Sequence, residues 1–142
     1  MALALAGCAS LLPAQVPMHA RASRVDPATK ARCLMVFLPG FGDSDAEFDN
    51  HGFMAELRAR KLSVDTISAN AKIGYYARGT LADRIDTDVL APNPAGYEQV
   101  WFAGVSMGGM GTLLTGQRHG RRHRLWRDFL DRSDFATRCG AR

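Results

Sequence analysis

Short apolar runs alternate with segments of helical periodicity along residues 32–117. Residues 33–38 form a continuous apolar run, residues 62–69 alternate apolar with polar side chains, and residues 99–105 are again mostly apolar. We predict a β-strand at each, because runs of this length suit strands, and continuous apolar runs suit strands buried on both faces of a parallel sheet.

Helical patterns separate and follow these strands. The sequence SDAE at residues 44–47 matches a capping box, so we predict a helix from there to about residue 61, interrupted near residues 50–52. Leu81, Ile85 and Val89 recur at every fourth position, which predicts an amphipathic helix over residues 80–90, and another helix is predicted over residues 108–117. This order of elements predicts an α/β protein with a parallel sheet and right-handed crossovers.

The sequence GVSMG, residues 104–108, joins the last predicted strand to the last predicted helix. A Gly-x-Ser-x-Gly sequence in this context is typical of a nucleophilic serine on a sharp strand-to-helix turn, which makes Ser106 the candidate nucleophile. Gly104 and Gly108 flank it because side chains there would collide in so tight a turn. The N–H of Met107, at the positive end of the helix, is a candidate oxyanion donor. The alternative is a tight packing turn whose serine has no chemical role.

Residues 35–48, MVFLPGFGDSDAEF, together with residues 100–114 resemble the α/β-hydrolase fold family, and within it bacterial esterases and lysophospholipases. The resemblance covers residues 32–117 and implies a partial α/β-hydrolase fold, a parallel sheet flanked by helices whose C-terminal half is missing. It implies hydrolysis of small-molecule or lipid carboxylic esters through an acyl-serine intermediate, with no metal and no organic cofactor.

The family's second oxyanion donor comes from a loop that carries His-Gly after an early strand. Here that loop reads PGFG, residues 39–42, so Pro39 stands in place of the histidine. The resemblance implies that Phe41 supplies the second donor. The alternative is that Phe41 only covers the pocket.

The family places an acid and then a histidine after the nucleophile. The candidates after Ser106 are His119, His123, Asp128, Asp131 and Asp134. Their order is reversed, and His119 would lie about 20 Å from Ser106 along a helix, whereas a base must come within about 3 Å of the hydroxyl. His19 and His51 precede the serine and do not match the family's base. We therefore expect the triad acid and histidine to be absent and turnover to be impaired; the alternative function is that of a non-catalytic, truncated, hydrolase-like envelope lipoprotein.

The basic residues are concentrated at the C-terminal end of the sequence. Residues 1–117 carry a net charge of −1, whereas residues 118–142 carry 8 Arg and 3 Asp, a net charge of +5. This atypical tail lacks a strand pattern, so we expect the strand before Ser106 to have an open edge. Out-of-frame translation and natural divergence are the two explanations of the tail. It contains no recognisable nucleic-acid-binding module, so no nucleic-acid partner is expected.

The N-terminal residues 1–31 form a signal-like leader and linker. The sequence LAGC, residues 5–8, resembles a bacterial lipobox, which makes Cys8 a candidate for lipidation and for a membrane tether in the cell envelope. No basic residue precedes Cys8, so an accidental resemblance is the alternative. The three cysteines show neither metal-binding spacing nor an even-numbered disulfide framework, and Cys33 is expected to pack as a small hydrophobe. The substrate and the oligomeric state are not given by the sequence.

Overall fold

The computed structural model describes residues 12–93, 96–119, 123–125 and 132–140. The strands are β1 (Ala20–Ser23), β2 (Cys33–Leu38), β3 (Val64–Ala69), β4 (Gln99–Gly104) and β5 (His123–Leu125). The helices are α1 (Glu47–Asn50), α2 (Phe53–Ala59), α3 (Ile73–Ala77), α4 (Leu81–Arg84), a π-helical segment (Ile85–Leu90), α5 (Met107–His119) and α6 (Arg132–Cys139). No helix among these described residues is long and apolar enough to cross a membrane.

The five described strands form one sheet in the order β1-β3-β2-β4-β5. Strands β2, β3, β4 and β5 run parallel to one another, whereas the edge strand β1 is antiparallel to β3. Every residue of β2 and β3 is buried, as expected for strands that are covered on both faces. The predicted α/β class and the three predicted strands are confirmed, with ends that differ by one or two residues.

Helices cover both faces of the sheet. One face packs against α3, α4 and the π-helical segment, whose buried residues include Tyr75, Leu81 and Ile85. The other packs against α1, α2 and α6, with Phe48 and Phe135 in the core. In this three-layer arrangement the carboxyl ends of the parallel strands lie together. We call this end of the sheet the carboxyl edge, and it carries Ser106.

Two predicted helices differ in detail from the expectation. The helix expected over residues 44–61 is split into α1 and α2 at residues 51–52, as the sequence indicated. The helix expected over residues 80–90 begins as α4 and continues as a π-helix, although Leu81, Ile85 and Val89 are buried as their spacing predicted. The short helix α3 was not predicted.

The described part of the predicted leader and linker is packed on the sheet. Strand β1 pairs with β3, with Ala20 opposite Ala69. Just before it, the Met18 side chain is buried, and the Met18 N–H donates to Asp88 Oδ2 at 2.8 Å. Residues 20–23 of the predicted leader and linker therefore form an edge strand of the sheet, because backbone pairing needs no strong apolar pattern in a short edge strand.

The C-terminal segment also joins the fold, which corrects two expectations. Strand β5 pairs with β4 from Val100 to Phe102, so the strand before Ser106 has partners on both sides and does not present the open edge that was expected. Cys33 is not an isolated small hydrophobe but forms a disulfide with Cys139, with 5.6 Å between the Cα atoms. A three-residue strand carries too little periodicity to be predicted, and disulfide connectivity cannot be deduced from sequence alone.

Candidate active site

Ser106 lies in the left-handed backbone region at the junction of β4 and α5. Its φ angle is +53°, and its side chain is exposed. A non-glycine residue with such a φ angle is strained and persists only where the surrounding structure imposes it. The combination of a strand inside the sheet, a strained exposed serine and a following helix is the geometry expected of a nucleophile elbow.

The two elbow glycines are required by close backbone packing. A Cβ on Gly104 would overlap the Gly108 carbonyl, and a Cβ on Gly108 would overlap the Leu38 carbonyl at the end of β2. Gly109 differs, because a Cβ there would lie 3.7 Å from the nearest atom, an ordinary contact. The steric reason inferred for Gly104 and Gly108 therefore agrees with the geometry.

The loop that follows β2 lies beside this turn. The Val105 N–H donates to the Leu38 carbonyl at 3.3 Å, so the end of β4 is held against the end of β2. Phe41 is 70% exposed, and its N–H has no acceptor among the described residues. Met107 is the first residue of α5, so its N–H has no acceptor within the helix. Neither N–H has a described backbone acceptor, so Phe41 and Met107 stay candidates for oxyanion donors.

Contacts with neighbouring elements hold the loop that carries Phe41. The Lys72 ammonium donates to the Asp43 carbonyl at 2.6 Å. The Asp45 carboxylate, only 8% exposed, lies 3.0 Å from His19 Nδ1 and 3.6 Å from Arg21 Nε. Basic groups from outside the loop therefore contact it at two points.

The structure does not bring a histidine to Ser106 among the side chains it describes. His19 lies just before β1, which β3 and β2 separate from β4, so three strand spacings, about 14 Å, lie between the two sites. His51 pairs with Glu47 of its own helical turn at 3.4 Å. The remaining candidates are outside the described residues or have side chains outside them: His119, His123, Asp128, Asp131 and Asp134.

Two further observations bear on what the site can hold. Among the described residues, no group of three or more His, Cys, Asp and Glu side chains could hold a metal ion.

A cavity of about 420 Å³ lies at the amino end of the sheet, lined by Leu34, Val100 and Tyr97 among others. Since it contacts the starts of β2 and β4, it is separate from the edge that carries Ser106.

The cluster of Asp45, His19 and Arg21 was not found by sequence reasoning. Asp45 was recognised only as part of a capping box, and His19 only as a linker residue. No local signal connects positions that are 26 residues apart, because their proximity depends on the pairing of β1 with β3.

Comparison with solved structures supports the fold. The chain superimposes on a phospholipase/carboxylesterase from Dyadobacter fermentans with a TM-score of 0.56 and 21% sequence identity, covering 75% of this chain and 56% of that one. It superimposes on a protein described as a hydrolase from Rickettsia typhi with a TM-score of 0.52 and 19% identity, covering 76% of this chain and 38% of that one. No protein-family profile and no curated protein matches the sequence.

These similarities define the class of the fold, an α/β-hydrolase-like sheet flanked by helices. The chain spans 56% and 38% of the lengths of the two solved proteins. At such identities the similarity describes the fold, so any activity has to be argued from the site itself.

Proposed function

We propose that the chain is a serine hydrolase of carboxylic esters that acts through an acyl-serine intermediate. The observation that carries this proposal is the positive φ of the exposed Ser106 between β4 and α5. A strained conformation that the surrounding glycines permit is a feature of functional turns, and here it presents a hydroxyl at the carboxyl end of the sheet.

In this mechanism the Ser106 Oγ attacks the ester carbonyl, and its proton passes to a water molecule. The N–H groups of Phe41 and Met107 donate to the oxyanion that forms, and the positive end of α5 adds favourable electrostatic potential. Collapse of the tetrahedral intermediate breaks the bond to the alkoxide, which takes a proton from water and leaves as the alcohol, while Ser106 stays acylated. Water then attacks the acyl group and releases the acid, which regenerates the serine.

Turnover should be slow, because no described histidine is placed to accept the Ser106 proton. In a well-studied serine protease, oxyanion stabilisation and binding without the triad retain only about 10³–10⁴-fold acceleration over water. The expected activity is therefore that of an impaired enzyme, with acylation more easily observed than repeated turnover.

We also propose that the chain belongs to the bacterial cell envelope and is tethered there by acylation of Cys8. Disulfides persist in oxidising compartments and are rare in the cytosol, so the Cys33–Cys139 disulfide supports export. Intact mass of the chain purified from a bacterial membrane fraction would test this, with Cys8→Ser as the control. A wild-type mass without lipid would contradict the acylation.

The experiment that tests the hydrolase is incubation with short-chain p-nitrophenyl esters, followed by peptide mapping. An acyl adduct on Ser106 that is absent from Ser106→Ala is the expected result. If the folded chain releases no nitrophenol above the Ser106→Ala level and carries no adduct, the non-catalytic envelope protein becomes the better explanation.

A further inference from the structure

Exposed apolar side chains extend from the Ser106 turn along the outer side of α5. Their exposed fractions are 70% for Phe41, 52% for Val105, 50% for Met110, 49% for Leu113 and 44% for Leu114. We call these five residues the apolar face. Met110, Leu113 and Leu114 have the i, i+3, i+4 spacing that places side chains on one stripe of a helix. An exposed apolar stripe on a helix, beside further exposed apolar residues, is typical of an interaction site.

We propose that the apolar face contacts the surface of a phospholipid bilayer. The proposal concerns the place where the proposed hydrolase works, so its catalytic meaning rests on the function proposed above. Binding of the face to lipid is a separate physical property and can be tested without catalysis.

The described start of the N-terminal segment packs against α3. The Leu12 carbonyl accepts a hydrogen bond from Arg78 at 2.9 Å, and the Pro13 carbonyl lies against Gly74 near the start of α3. Lys72, two residues before Gly74, bonds to the Asp43 carbonyl in the loop that carries Phe41. The N-terminal segment therefore meets the fold at the same edge of the sheet as Ser106.

Only a short stretch of chain separates that point from Cys8. Leu12 is four residues from Cys8, and four residues span at most about 14 Å even when fully extended. An acyl group on Cys8 would therefore hold a bilayer close to this edge, while the amino end of the sheet lies farther away. The apolar face and the lipid-bearing cysteine would then meet the same membrane.

The charges around this edge agree with an anionic lipid surface. Arg21 is about half exposed, and Lys72 and Arg78 also lie beside the edge. The Asp43 carboxylate opposes them, whereas Asp45 is buried and paired with His19 and Arg21. Basic side chains near apolar ones are typical of surfaces that bind anionic phospholipids.

The test is flotation of the full chain carrying Cys8→Ser with vesicles of phosphatidylglycerol and phosphatidylethanolamine. This chain has no acyl anchor, so any binding reports on the protein surface. We expect it to bind, and we expect Met110→Asp to lower the partition coefficient about tenfold, because an exposed apolar side chain is replaced by a charge. Leu113→Asp should act in the same direction.

Ala91→Asp is the matched control, since it adds the same charge at an exposed position near the amino end of the sheet. Its partition should equal that of the parent. Equal losses in both variants, or no binding by the parent, would overturn the proposal. If Met110→Asp abolishes self-association in sedimentation velocity but leaves vesicle binding intact, the face is a contact between copies of the chain and the proposal fails.

The proposed membrane contact and the proposed hydrolase function can each be contradicted separately. Ser106→Ala should float with vesicles as the parent does. Hydrolysis of a soluble ester without vesicle binding would contradict the inference alone, whereas vesicle binding without acylation of Ser106 would contradict the proposed function alone.

Discussion

Cys33 at the start of β2 and Cys139 at the end of α6 are joined by a disulfide across a sequence separation of 106. Neighbouring contacts reinforce this connection: the Ser63 N–H donates to the Cys139 carbonyl at 2.6 Å, and Leu62 forms an isolated antiparallel bridge with Gly140. Helix α6, in the atypical tail, is therefore linked covalently to the central strand of the sheet. The disulfide makes α6 a structural part of the fold.

Removing this disulfide should lower stability substantially. Closing a loop of about 100 residues lowers the entropy of the unfolded chain by an amount equivalent to roughly 4–5 kcal/mol, an upper range for such bridges. We expect Cys33→Ala and Cys139→Ala to shift the urea midpoint downward by equal amounts under oxidising conditions. Cys8→Ala should not shift it, and a midpoint for Cys139→Ala equal to that of the wild type would contradict the bond.

The packing of Phe135 on Trp101 gives a second prediction. The two rings meet edge to face with centroids 5.2 Å apart, and both side chains are buried. Phe135→Ala should destabilise the chain by about 3 kcal/mol, because truncating a buried aromatic residue leaves a cavity. Phe41→Ala, at an exposed position, should change the free energy of unfolding by less than about 0.5 kcal/mol. Denaturant titration of both variants compares them, and similar losses would show that Phe135 is not in the core.

We expect alanine substitutions at the adjacent positions Gly108 and Gly109 to have opposite outcomes for stability. Gly108→Ala would force a methyl group into the Leu38 carbonyl, so we expect loss of several kcal/mol, about the range of severe overpacking, together with loss of any Ser106 reactivity. Gly109→Ala meets only an ordinary contact and should fold normally or gain slightly in helix stability. Circular dichroism melts of the two variants provide the measurement. A normal melt for Gly108→Ala would show that the turn is looser than described.

The buried Asp45 carboxylate should matter more than exposed ion pairs. Asp45→Ala removes the ion pairs with His19 and Arg21 and a contact that holds the Phe41 loop; because the two basic side chains are more than half exposed and become hydrated, we expect a loss of at most about 1 kcal/mol. Glu56→Ala removes an exposed pair with Arg60 and should change stability by at most about 0.5 kcal/mol. Hydrogen exchange should also accelerate around residues 40–45 in Asp45→Ala. Unchanged exchange there would show that the pair does not hold the loop.

We expect the free energy of unfolding to decrease at alkaline pH because of two tyrosines. Burial raises the pKa of Tyr76 to about 12, and burial together with the hydrogen bond to Asp65 raises the pKa of Tyr97 to about 12. Both pKa values exceed the ordinary 10.0, so the unfolded chain loses these protons first. The stabilisation is complete below pH 10 and is lost as the pH rises toward 12.

Urea unfolding between pH 9 and pH 12 would measure this effect. Each tyrosine adds a slope of at most about one proton to the pH dependence of the free energy of unfolding. Tyr97→Phe and Tyr76→Phe should each reduce the slope. A slope that is the same in the double variant as in the wild type would assign the alkaline loss to other groups.

The sequence was informative where one local pattern determines the structure. The continuous apolar run at residues 33–38 predicted β2, and GVSMG at residues 104–108 predicted the turn at Ser106, because burial on both faces and a tight turn each restrict the side chains directly. The buried positions Leu81, Ile85 and Val89 were also found from their spacing.

The structural features that were missed depend on contacts between distant positions. Residues 20–23 form β1 through backbone pairing with β3. This pairing also brings His19 close to Asp45. Cys33 and Cys139 meet only when α6 returns to the start of β2. Strand β5 is only three residues long, so its pairing with β4 forms a strand that the sequence does not predict.

The central claim is that Ser106, held in its strained turn, acts as a nucleophile. The most direct measurement is the intact mass of the folded chain after reaction with a fluorophosphonate probe, with Ser106→Ala treated in parallel. We predict one adduct per chain on Ser106 of the wild type and none on Gly108→Ala or Ser106→Ala. No adduct on the folded wild-type chain, or an equal adduct on Ser106→Ala, would contradict it.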